Sequence, residues 1–348
     1  MKRILFAGAA ALFFSVTAQA QNITLTSAAA QPGGASDISA KFLAEVAAAN
    51  KIATIQVQVG QVLTKTMVQV AQGKTDITAS AFILNFLMSR GLGPYSGLGK
   101  EKGKALAANL QLLFPFHLAH FALVSFQTSG IDSYAKLKGK TVHNGPPRGG
   151  ALVTARNVIR LSSGGLAEGK GYVGKQIAWG QANSIFLNRS VDATVRPATN
   201  PASWIPIFLA AGKINIVSVP KKLFEGKAWT KYSNAPGNVP VLFPTKELNH
   251  YGANARVISD DDMFRSVANA GGAMVHKKMD KKLVKSLTAA FIKGTPDLYR
   301  KTAFARTSQF GHVDNKHFNY CKAGIKFHPG AVEAWEEAGH KIVDCAKP

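Results

Sequence analysis

The chain has 348 residues, with 42 Lys and Arg against 19 Asp and Glu, for a formal net charge of +23. An apolar fraction of 46% is ample for packed cores and excludes a largely disordered chain. So basic a balance first raises nucleic acid as a partner, but the Lys residues are scattered and no nucleic-acid-binding motif occurs, so a solvated surface that steers anions is the better reading.

Lys2 and Arg3 open the chain, Ile4 to Val16 are mostly apolar, and Ala18-Gln19-Ala20 is a small-x-small cleavage signal. This order predicts a secretory signal peptide over residues 1–20, cut before Gln21. The apolar run is too short to span about 30 Å of hydrocarbon, and no Cys follows the cleavage site to take a lipid. Residues 21–348 are therefore expected in the periplasm. They exceed the length that one core usually serves, so two domains are expected.

The alternation Ile23-Thr24-Leu25-Thr26 predicts a strand. Gln31 to Asp37 is turn chemistry ending in helix N-cap residues, followed by Ile38, Phe42, Leu43 and Val46 at helical spacing. Ile55, Val57 and Val59 alternate as a second strand, a helix runs from Val62 to Ala71, and Asp76 to Ala79 forms a third strand. Strand–helix alternation of this kind predicts a mostly parallel sheet covered by helices.

The pattern restarts after Phe126. Leu123 to Phe126 and Thr141 to His143 read as strands, and Gly145-Pro146-Pro147-Arg148-Gly149-Gly150 as a tight turn into a helix. A helix around Ser184 to Leu187 leads to the strand Ala193-Thr194-Val195. Val70 to Thr78 and Leu187 to Thr194 share a helix end, a polar turn, an Asp and a short strand. Two similar lobes and a chance similarity of a common connection are equal readings of that match. After a turn-rich region from Asn234, helices near Lys282 to Lys293 and Val332 to His340 close the chain. The expected lobes are 21–126 with 264–348, and 127–263.

Only Cys321 and Cys345 are present. In an oxidising compartment they point to one disulfide, since a lone pair without C-x-x-C spacing is a poor metal or redox site.

Ligands in open α/β sheets bind beyond the carboxyl ends of strands. Arg148 stands in a turn at a helix start, where backbone N–H groups and the helix dipole favour an anion. Its guanidinium reads either as a carboxylate anchor or as an exposed loop arginine, and the N–H groups of Gly149, Gly150 and Ala151 are the safer donors. Arg196 follows a strand, with Thr199 and Asn200 in the same loop, and reads either as an anchor or as half of a buried ion pair. Gln181 and Asn183 either touch ligand or cap a helix, and Trp179 either stacks on ligand or packs in a core. In the first lobe the turn holding Gly34 and Ala35, the stretch Gly60 to Thr64, and Ser80 follow predicted strands. Phe114-Pro115-Phe116-His117 is a further candidate for an aromatic over the cleft.

Enzyme readings fare poorly. Ser133-Tyr134-Ala135-Lys136 matches S-x-x-K without its supporting elements, and G-x-S-x-G, H-E-x-x-H and Walker patterns are missing. No cofactor or metal is expected.

Leu137-Lys138-Gly139-Lys140-Thr141-Val142, Gly145 to Gly150 and Val153-Thr154-Ala155-Arg156 together resemble the TAXI family, the extracytoplasmic solute receptors of TRAP transporters. The Gly33-Gly34 turn, Gly73-x-x-Asp76-Ile77, and Phe327-His328-Pro329-Gly330-Ala331 with Ala338-Gly339 are similar to the same family. The resemblance implies an α/β type II periplasmic binding fold of two lobes. It also implies a monomer that closes on a small organic anion and delivers it to TRAP membrane subunits. The chain departs from the family at Val59 to Val62, where a Gly-rich, hydroxyl-bearing loop is usual, and at Ser80-Ala81, in place of Gln-Ser-Asp. A periplasmic sensor, an ABC-type or a tripartite tricarboxylate uptake system would use the same module.

Overall fold

The computed structural model describes residues 23–348, so the expected signal segment 1–20 lies outside the described residues. The first lobe opens with β1 (Thr24–Ala28), α1 (Ala35–Ala49), β2 (Thr54–Gln58), α2 (Leu63–Ala71), β3 (Ile77–Ala81), α3 (Phe82–Ser89) and α4 (Lys100–Ala107). The long strand β4 (Leu110–Phe126) then crosses to the second lobe. There follow β5 (Thr141–His143), α5 (Gly150–Ser162), β6 (Val173–Lys175), α6 (Ala182–Leu187), β7 (Ala193–Ala198) and α7 (Ile205–Ala211). Next come β8 (Ile214–Val217), α8 (Lys221–Phe224), α9 (Lys227–Ser233), β9 (Asn238–Pro244) and β10 (Ala255–Ile258). A second long strand, β11 (Met263–His276), returns to the first lobe, which α10 (Lys281–Lys301), α11 (Asn315–Phe318) and α12 (Pro329–Glu337) complete.

One hydrogen-bonded path runs β2-β1-β3-β11-β4-β7-β5-β6, with β8 and β10 on the other flank of β4 and β9 on β11. The path is continuous because β4 and β11 belong to both lobes. Their first-lobe halves pair with each other, while in the second lobe β4 pairs with β7 and β8 and β11 with β9. The core changes hands along them: Phe114 and Phe116 pack in the first lobe, Phe121 and Leu123 in the second. On β11, Val267 belongs to the second and Ala270 to the first. The expected boundaries at 126/127 and 263/264 fall at the ends of these strands where the change occurs within them.

Local sequence explains the elements. β3, between parallel β1 and antiparallel β11, is buried at every position, as a central strand covered on both faces must be. On α10, Val284, Leu287, Phe291 and Leu298 form one buried stripe, and Asp280 caps the helix by accepting from Leu283 N–H. Phe291 stacks on Phe114 and meets Phe42 edge-on, tying β4 to α1. The two similar segments fold alike. Asp76 accepts from Thr26 N–H in the middle of β1, and Asp192 accepts from Thr141 N–H at the start of β5. Each carboxylate sits at the foot of its lobe's third strand and holds the first strand in parallel register beside it. Cys321 and Cys345 are joined by a disulfide that fixes the tail.

Several expectations need correction. Ser36 and Asp37 lie inside the first turn of α1, whose N-cap is Gly34. The strand expected at Leu123 to Phe126 is the last part of a 17-residue strand. Phe114 and Phe116 are core residues of the first lobe and do not reach the cleft.

Candidate ligand cleft

A cavity lies between the lobes, at the carboxyl ends of β1, β3, β5 and β7. Seven of the candidate residues line it: Gly34 and Ala35 from the first lobe, and Gly149, Gly150, Ala151, Trp179 and Thr199 from the second.

The other seven do not line it. Gly60 turns the chain after β2, donating its N–H to Ala30 O. Thr64 is buried and its hydroxyl donates to Arg148 O at 2.9 Å. Ser80 is buried within β3 opposite Gly272, and the neighbouring Ala81 reaches the cavity instead. Arg148 is exposed, with its backbone at φ 58°, so its side chain follows the loop reading. Gln181 is exposed at the N-cap of α6 and makes no side-chain cap. The N–H of Asn200 donates to Thr307 Oγ1, a contact between the second lobe and the segment after α10.

Arg196 is the larger surprise. It lies inside β7 rather than after it and is only 2% exposed. The ion-pair reading does not fit, since no carboxylate pairs with it among the described residues. Its Nη1 donates to Asn183 Oδ1 at 2.8 Å and its Nε has no partner. The guanidinium lies over Trp204 at 4.6 Å and beside Trp179 at 5.5 Å. Indole faces offset part of the cost of burying the cation. Burial pushes its pKa down to about 9, which leaves it charged at neutral pH. The charge thus stands one indole behind the cleft wall. His143 meets Trp179 edge-on, and burial, aided by the Arg196 charge, pushes its imidazole down to about 3.

No side chain lining the cavity is charged. The polarity comes from the backbone. Four helices begin at its wall: α1 after Gly34, α2 after Val62, α3 after Ala81 and α5 after Gly149. None of the four N-caps makes a side-chain hydrogen bond. Their first-turn N–H groups and dipoles therefore point positive potential at one volume. Only α1 has an acid in its first turn, the buried Asp37 paired with Lys41.

Contacts across the mouth hold the lobes together. Besides Thr64 and Arg148, Ser203 Oγ donates to Gly33 O at 3.4 Å. Gly33 and Gly237 have φ of +68° and +76°, and a Cβ on either would strike the opposite lobe, at Ser203 Oγ and at Ile83 N. Gly237 permits the close approach of backbone to backbone, and Gly33 that of backbone to a serine side chain.

Sequence reasoning missed most of the apolar wall: Ile83, Leu84, Leu118, Phe121, Pro146 and Pro197. It missed two polar groups as well. Gln31 opens the Gln-Pro-Gly-Gly turn, and Asn269 stands in a long apolar strand. A polar residue in such a strand was the available signal.

Among the described residues no helix is long and apolar enough to cross a membrane, and no group of three or more His, Cys, Asp or Glu is arranged to hold a metal.

Residues 40–339 match the model of the NMT1-like family. No curated relative matches the chain. Among solved structures, a protein of Bordetella bronchiseptica RB50 is similar at TM-score 0.55 and 12% identity, covering 92% of this chain and 99% of its own. A structure described as a periplasmic transporter is similar at TM-score 0.55 and 11% identity, over 92% and 98%. At TM-score 0.45 and 13% identity, over 92% and 86%, stands a TRAP periplasmic solute-binding protein from Ralstonia eutropha H16 with bound (S)-2-acetolactate.

Proposed function

The chain belongs to the NMT1-like family, and from that premise we propose that it is a periplasmic receptor that closes on a small organic anion and releases it unchanged to a membrane transporter. One observation carries the anionic ligand. Four uncapped helix N-termini face a cleft without a charged side chain, and the unpaired Arg196 stands behind Trp179. A carboxylate there satisfies donors that have no other partner and gains interaction with a charge already desolvated. The TAXI-like stretches between Leu137 and Arg156 favour a TRAP transporter as recipient, and the pattern in residues 1–20 favours export. The hinge, on this reading, is the pair of shared strands, with the lobes dividing inside β4 and β11.

Ala151→Asp tests the reading. An acid in the first turn of α5 complements the helix dipole and leaves folding intact, but it puts a negative charge where the anion binds. Calorimetry on the exported protein, stripped of ligand by unfolding and refolding, should show organic-acid binding in the wild type and none in the variant. Undiminished acid binding by the variant would refute the placement of the anion at α5.

A further inference from the structure

Resting on that reading, we infer that the ligand is a monocarboxylate with an apolar, branched or aromatic body and one hydrogen-bond donor, and not a dicarboxylate. The cleft is given one side-chain cation, Arg196 behind Trp179, and no second. A second carboxylate would be buried against Leu63, Ile83, Leu84, Leu118 and Phe121, with no charged side chain in the lining to meet it.

The polar side chains that reach the cavity are almost all engaged. Ser36 Oγ accepts from Ala30 N–H and donates to Ala79 O. Thr199 Oγ1 donates to Pro201 O. Asn269 accepts from Thr154 and donates to Asn238. Among the amides and hydroxyls Gln31 is the exception. It is 7% exposed, and its Oε1 is buried without a partner. An orphaned acceptor in an apolar wall is costly unless a ligand donates to it. Its backbone carbonyl accepts from Gly34 N–H, which sets the residue at the start of α1. That helix start carries Asp37, so it is the less positive end of the cleft and the better place for a hydroxyl or ammonium group. The α5 start, without an acid, takes the carboxylate.

The test is calorimetry on the stripped wild-type protein with leucate, leucine, isocaproate, isocaproamide and glutarate. Leucate or leucine is expected to bind at least about tenfold more tightly than both isocaproate, which lacks the donor, and glutarate, which carries a second carboxylate. Gln31→Leu is expected to bring the donor-bearing acid within about twofold of isocaproate while leaving isocaproate itself unchanged. If that variant does not fold, the wild-type ratios still decide. Tighter binding of glutarate would overturn this inference and leave the organic-anion reading standing. Equal binding of isocaproate and the donor-bearing acids would overturn the role given to Gln31. Isocaproamide binding as well as isocaproate, or no acid binding at all, would overturn both.

Discussion

The hydroxyl of Thr64, at the start of α2, donates to the carbonyl oxygen of Arg148, just before α5, and so bridges the two lobes at 2.9 Å. Arg148, whose guanidinium reads either as a carboxylate anchor or as an exposed loop arginine, offers its backbone to the opposite lobe. A single neutral hydrogen bond of this kind contributes about 1 kcal/mol net. Thr64→Val, nearly isosteric, should weaken ligand affinity by about fivefold, chiefly through faster dissociation. The urea midpoint of ligand-free protein should not move, because open lobes do not make the bond. Stopped-flow release of ligand checks this, and an unchanged rate would remove the bond from closure.

Arg196 is expected to act on ligand without touching it. A buried cation with one amide partner and no carboxylate is a weak contributor to stability. Arg196→Met should therefore unfold at the same or higher urea concentration while losing about tenfold or more in anion affinity. Loss of stability with unchanged affinity would make the arginine a structural residue only.

Acid should destabilise the fold between about pH 6.5 and 4. His143 and His120 are buried and held neutral, with pKa values pushed down to about 3 and about 4, mainly by burial. Below their ordinary value the unfolded chain takes up protons that the folded chain refuses. Stability is thus full above about pH 6.5 and falls as pH drops, by at most about 1.4 kcal/mol per pH unit for each histidine. Urea unfolding near pH 7 and pH 5 checks the slope. His120→Leu should make it shallower, because His120 packs edge-on against Phe243 and Phe264 and makes no hydrogen bond that the variant would lose.

How much of this was legible depended on whether a residue's chemistry is local. The strand Thr141–His143 was readable because a Gly-Lys turn and β-branched residues frame it. The helix starts at Gly34 and Gly149 were readable because glycine turns follow strands, and both line the cleft. The crossing strand β4 was read short, as Leu123 to Phe126, although it begins at Leu110 and contains Pro115. Pro115 is accommodated in the ladder opposite Gly272, beside a register shift between Ala273 and Met274. Arg196 was likewise placed after a strand ending at Val195, yet Pro197 still stands opposite Phe121 in the sheet. The wall residues Ile83, Leu84 and Phe121 carried no signal, since an apolar side chain facing a cleft and one facing a core look alike in sequence.

The most direct test is mass spectrometry of whatever small molecule leaves the protein when it is gently unfolded after purification from the cells that make it. The account predicts one small organic acid per chain, chemically unaltered, that binds again to the refolded protein. A neutral or cationic compound that rebinds in its place would contradict the anionic cleft at its foundation.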